Sequence, residues 1–153
     1  MFTKYAHLFL FLLVIGCGGV QVAREDTPIP LTRVGEHLRS VDQKDPFLIE
    51  GNDGNNPVTI NGDVLRISVS YRGGCKDHDF SLIWNGLELE SFLPQLNLFL
   101  VHDAHGDTCD TSINKILEFD LTSLKRPPID RIRTIKLNIF DYTKKMHGIN
   151  YHY

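Results

Sequence analysis

Beyond its first residues the chain has no long apolar run, and no sign of charge dominates. Against 16 Lys and Arg stand 19 Asp and Glu, a formal net charge of −3 over 153 residues. That balance offers no basic field to a phosphate backbone, so nucleic acid is not expected as a partner. No glycine-rich phosphate loop opens a helix, which excludes the common nucleotide-binding designs. Ser68, Ser70, Ser81 and Ser112 lack the strand-to-helix setting of a nucleophile elbow. The neighbouring pair His102-Asp103 would fall on opposite faces of a strand. A domain of about 110 residues also leaves little room for the substrate cleft of a paired-carboxylate hydrolase. The chain is therefore read as a non-enzyme. It holds no internal repeat, and its length suits one apolar core.

The N-terminus has a different composition. Lys4 precedes an unbroken apolar stretch from Leu8 to Ile15, the order of a secretory signal, and the stretch is too short to span a bilayer. It ends in Val14-Ile15-Gly16-Cys17, which resembles the lipobox of bacterial lipoproteins. That resemblance implies a signal peptide over 1–16, a lipid (palmitate-type acylation) on Cys17 as the new N-terminus, and anchoring to a membrane rather than spanning it. Gly18 stands where inner-membrane retention would place aspartate, which implies the outer membrane of a diderm cell envelope. The competing reading is a plain signal cut near Ala23, which Gln21 suits poorly. The absence of any Asn-x-Ser/Thr sequon favours a bacterial over a glycosylated secreted source.

Residues 17–45 are polar and proline-punctuated, and Thr27-Pro-Ile-Pro30 predicts an extended tether. Leu31, Val34, Leu38 and Val41 recur at helical spacing, so one short amphipathic helix is a further expectation there. From residue 46 to 153 the period changes to two. Leu65, Ile67, Val69 and Tyr71 alternate with polar residues, as do Phe80, Leu82 and Trp84. Leu96, Leu98 and Leu100 repeat the pattern, followed by Leu117, Phe119 and Leu121 and by Ile135, Leu137 and Ile139. Weaker strands are read at 47–50, 58–60 and 87–92. Turn signals at 51–57, Asn61-Gly62, Gly73-Gly74, Asn85-Gly86 and 126–128 separate them. The expectation is an all-β domain, a small antiparallel β-sandwich or barrel-like fold of about seven strands. The aromatic residues Tyr71, Phe80 and Trp84 fall on its core parity.

Chemistry concentrates in two segments, Gly73-Gly-Cys-Lys-Asp-His-Asp-Phe80 and Val101-His-Asp-Ala-His-Gly-Asp-Thr-Cys-Asp110. In an oxidising compartment Cys75 and Cys109 predict a disulfide. Such a bond requires both loops at one end of the domain, and a complete extra strand at 87–92 would put them at opposite ends. Cys75, His78, His102 and Cys109 also make up a zinc set in kind, one that excludes the disulfide. A zinc site using His78, His102 and His105 with Asp103 and Asp107 is another alternative. Calcium on the loop carboxylates Asp77, Asp79, Asp103, Asp107 and Asp110 is weighed against a solvated acidic turn, which is favoured. The base expectation is no cofactor. At the C-terminus, Met146, His147 and His152 could capture copper or heme, but a final edge strand or frayed tail fits better.

Three functions follow. The first is a lipid-anchored extracytoplasmic binding or interaction module with loops 73–80 and 101–112 as its working end. The second is a structural envelope lipoprotein without a ligand. The third is a zinc site on His78 and His102. The expected partners are the membrane, through the lipid, and an envelope protein.

Overall fold

Alternation in β5 (Val64–Gly73) is nearly complete: Leu65, Ile67, Val69 and Tyr71 are buried while Arg66 and Arg72 are exposed. β7 (Gln95–Asp103) and β9 (Thr134–Phe140) alternate likewise, burying Leu96, Leu98, Leu100, Ile135, Leu137 and Ile139. Period-two burial of this kind places one face of each strand against a common core. The computed structural model describes residues 28–30, 32–33, 44–51, 55–127 and 131–153. The signal segment and Cys17 lie outside the described residues, as does the helix expected around Leu31–Val41 except at Thr32–Arg33, which are extended.

The remaining strands are β1 (Ile29–Pro30), β2 (Thr32–Arg33), β3 (Leu48–Ile49), β4 (Val58–Asn61), β6 (Asp79–Leu89), β8 (Thr111–Asp120) and β10 (Met146–His152). They form two facing sheets, the all-β sandwich expected. In one, β8 and β5 are central, β1 borders β8, and β3 and β4 share the far edge of β5. The other runs β10-β9-β7-β6-β2. A 3₁₀ turn at Thr122–Leu124 leads out of β8 and buries Leu124. Among the described residues no helix is long and apolar enough to cross a membrane.

The sheets are not purely antiparallel. β7 pairs β9 in parallel because the chain leaves for the other sheet as β8 and then returns beside β7. β1 on β8 and β2 on β6 are also parallel. The segment read as tether therefore contributes a two-residue strand to each sheet. The C-terminus is the expected edge strand, β10, paired with β9 over its whole length.

The Asn85-Gly86 pair, read as a turn, is a bulge inside one strand. β6 pairs Trp84 with Leu98 and then Glu88 with Leu96, so it carries two more residues than β7 over that stretch. Gly86 supplies the left-handed backbone, with φ of 79°, and Asn85 turns inward to accept the Leu87 N–H. Residues 87–89 thus prolong β6 and do not start a new strand. The direction of β7 is preserved, and the 73–78 and 103–110 loops meet at one end. The bulge also shifts Trp84 from full burial to the core margin, where its indole N–H donates to the Leu87 carbonyl.

Candidate functional site

Loops 73–78 and 103–110 are joined by the Cys75–Cys109 disulfide, with Cα atoms 5.8 Å apart. The expected covalent staple is present, and with both sulfurs consumed the Cys75/His78/His102/Cys109 zinc set cannot form. A free thiolate is what zinc requires.

Beside the disulfide lies a second, non-covalent clamp. Asp107 reaches from its loop into the turn after β5, where the backbone N–H groups of Gly74, Cys75 and Lys76 donate to its Oδ2 at 2.9, 2.9 and 3.0 Å. Its Oδ1 accepts the Cys109 N–H at 2.9 Å. Consecutive N–H groups converging on one oxygen form an anion nest, and this one is filled by the protein's own carboxylate. The Cys109 N–H, then those of Cys75 and Lys76 and the His78 ring, hold the Asp107 carboxyl far below the usual carboxylate range, against a burial that raises it. Lys76 closes the turn by donating to the carbonyls of His105 and Gly106.

His78 extends the clamp into the core. Its Nε2 lies 3.1 Å from Asp107 Oδ2 and its Nδ1 2.8 Å from His102 Nε2. His102 Nδ1 faces the Pro46 carbonyl at 3.2 Å. A proton count fixes the roles. Pro46 only accepts, so His102 carries its proton on Nδ1 and presents a lone pair at Nε2. Asp107 is ionised and also only accepts. His78 Nδ1 faces that lone pair and its Nε2 faces the carboxylate. His102 is held neutral: burial lowers its pKa, and the neighbouring His78 lowers it further.

These groups are sealed. The side chains of His78 and Asp107 are 1% and 0% exposed. The His102 ring stacks on Phe80 with centroids 4.4 Å apart, and Tyr71 and Phe47 pack around it. Gly73 makes the packing possible, since a Cβ there would sit 2.5 Å from the His78 ring.

The other predicted residues lie apart from this cluster, with His105 between Asp79 and Asp103 at the surface. His105 points outward to Asp79 at 2.8 Å, and Asp103 pairs with Lys44 at 2.5 Å. The Lys44 ammonium pulls the Asp103 pKa down to about 2. Asp110 sits beside Arg72, and Asp77 is exposed on the turn. Among the described residues, Cys75, Asp107 and Cys109 alone bring three ligand-type atoms within 4.8 Å. Two of those atoms are disulfide sulfurs and the third belongs to the saturated carboxylate. Such an arrangement supplies no open coordination position.

The sequence reading missed a second His–Asp pair. Buried Asp141, at the end of β9, accepts from Thr143, Lys145 and the His147 ring and so caps the β9–β10 hairpin. The Asp-x-Thr spacing was the available signal for that turn. At the opposite end of the sandwich, Asp63 receives the Tyr151 hydroxyl at 2.8 Å and Lys125 at 2.6 Å.

No family model matches this chain, and no curated protein matches it. Solved structures do. It is similar to a protein of Parabacteroides distasonis whose name relates it to toxins, with a TM-score of 0.57 and 20% identity over 82% of this chain and 61% of that one. A NigD-like immunity protein of Bacteroides caccae gives 0.52 and 16% over 82% and 64%. A protein of Bacteroides fragilis named as a lipoprotein gives 0.51 and 13% over 82% and 70%. The chain thus spans about six tenths of the first two structures. At these identities the likeness establishes a shared sandwich fold.

Proposed function

We propose that this chain is a lipid-anchored, extracytoplasmic interaction module without enzymatic activity, presenting its disulfide end to an envelope protein partner. The observation that carries the reading is the double clamp. Two loops that each cross between the sheets are tied by Cys75–Cys109 and again by Asp107, His78 and Lys76. Groups held so firmly lose little entropy on binding, and they leave Asp77, Asp79 and Asp110 displayed at a rigid rim. Burial of the His78–Asp107 pair supports a scaffold role over catalysis.

Cys17 in its lipobox-like setting supports the anchor, and the disulfide suits an exported protein. The structural neighbours add a lipoprotein and an immunity protein by name, both from Bacteroides. An anchored module that engages another envelope protein is compatible with either.

The test uses the full chain in a bacterial envelope, with an alkyne fatty acid and photo-cross-linking residues at Asp77, Asp110 and, as a control at the other end, Arg131. The reading expects fatty-acid labelling that Cys17→Ala abolishes, and one adduct of defined mass from positions 77 and 110 but not 131. Labelling with no adduct at any position would favour the ligand-free structural lipoprotein. Absence of labelling would remove the anchor.

A further inference from the structure

One edge of β8 is paired only at its end. β1 meets it at Phe119 and Asp120, and Thr111–Glu118 have no strand partner on that edge among the described residues. A long row of unpaired N–H and C=O groups is a template for another strand, and native proteins cover or block such rows. The register of β1 says what lies in line with this one. Ile29 stands opposite Phe119 and Pro30 opposite Asp120, in parallel. Carried toward the N-terminus, the same offset sets Thr27 opposite Leu117, Glu25 opposite Lys115, Ala23 opposite Ile113 and Gln21 opposite Thr111. Residues 21–27 themselves lie outside the described residues.

From this register we infer that the segment Gln21–Thr27 prolongs β1 along the open edge of β8, completing that sheet with the chain's own strand and bringing the lipid anchor to the disulfide end. Charge complementarity favours this occupant. Lys115 shares the core-facing parity of Ile113 and Leu117, yet it is exposed and, among the described residues, makes no ion pair. The continued register supplies the carboxylate of Glu25 at that position, with the small Ala23 beside Ile113. Arg24 and Asp26 fall on the solvent parity, and a one-residue slip would exchange the two sets.

Continuity favours it too. The segment is covalently joined to β1, so its effective concentration at the edge is on the order of millimolar, which a strand from a partner or a second copy would have to match. Pro28 and Pro30 suit an edge strand, where outward positions need no N–H. The consequence is an orientation. Thr111 pairs with Gly73, next to the Cys75–Cys109 bond. With Gln21 beside Thr111, Cys17 is only four positions further out, a span of at most about 14 Å. The disulfide rim is then held against the membrane, and the partner it meets is one embedded in that bilayer or resting on it. The anchor's place rests on the lipid-anchored reading proposed above, whereas the strand does not.

Hydrogen exchange of the full chain tests the strand. The amides of 111–118 that do not serve β5 are expected to be protected, and to lose that protection when residues 21–27 are replaced by glycine and serine. A charge-reversal cycle tests the register. Glu25→Lys and Lys115→Glu should each lower the melting temperature by about 2–4 °C, and the double variant should regain most of it. Exchange that ignores the replacement, or reversals that simply add, would overturn the inference. Rescue of Lys115→Glu by Asp26→Lys would overturn the register, and protection that vanishes on dilution would assign the edge to a second copy. For the orientation, a fluorescent residue at position 77 of the lipidated chain in vesicles should transfer energy to headgroup-labelled lipid more efficiently than one at position 131. The reverse order would overturn it. A chain without lipid on Cys17 would overturn both the orientation and the proposed anchor, while exchange and charge reversal would still decide the strand.

Discussion

Replacing Asp107 with asparagine keeps its size but aims an amide nitrogen at donors, since both carboxylate oxygens accept N–H groups. One donor would then face another across a buried contact. Asp107→Asn should lower the urea midpoint markedly, even with the disulfide intact. The pH dependence has a definite sign. A carboxyl whose folded pKa is depressed stabilises the fold above its ordinary value of 3.8 and loses that contribution as pH falls toward the folded value. The gap between wild type and Asp107→Asn should be flat from about pH 5 to 7 and close below about pH 4. A gap that widens on acidification would refute the assignment. At Gly73, alanine forces the His78 ring to move, at a cost of about 1–3 kcal/mol in a chemical-denaturation curve. In nitrogen NMR, His102 should show one protonated ring nitrogen at neutral pH, at Nδ1. Sequence spacing placed His78 and His102 on the core parity of their strands, and they are there. Their mutual bond and the capture of Asp107 were not legible, because a nest is defined by backbone N–H directions that residue identity does not encode.

At the scale of elements, period-two patterning identified β5, β6, β7 and β9 because each has one wet and one dry face. β8 was legible only in its second half. Its first half, Thr111–Ile116, is largely exposed and offers no burial signal. β10 was ambiguous for the same reason, with Tyr151 its one fully buried side chain. Tyr151 ties that strand to the β4–β5 turn through Asp63, and Tyr151→Phe should cost about 1.5–3 kcal/mol, the range for a hydrogen bond to a charged group. Burial, reinforced by Asp63, pushes the Tyr151 hydroxyl well above its ordinary range. Its stabilisation is therefore complete below about pH 10 and lost as pH rises further, which an ultraviolet titration of tyrosinate against unfolding would follow. The Cys75–Cys109 bond spans 34 residues, worth about 3–4 kcal/mol of unfolded-state entropy. Because Asp107 and Lys76 hold the same loops, a Cys75→Ser/Cys109→Ser double variant should lose that stability yet keep its β circular dichroism. Collapse of the spectrum would mean that the non-covalent clamp cannot act alone.

Across the whole molecule, the rigid, doubly clamped end fits the proposed exported, anchored module. The sandwich was legible because turns and alternation recur along the chain. The parallel β7–β9 pairing was not, since it depends on β8 crossing to the other sheet, a long-range choice that no local pattern marks. The two short strands within 17–45 were not legible for a related reason: two-residue parallel strands have no periodicity to detect. Intact mass of the protein extracted from bacterial membranes, before and after reduction, tests the central claim most directly. The account predicts a chain beginning at Cys17 with a lipid attached, two hydrogens lighter than its reduced form. A lipid-free chain beginning after Ala23, or one whose mass is unchanged by reduction, would contradict it.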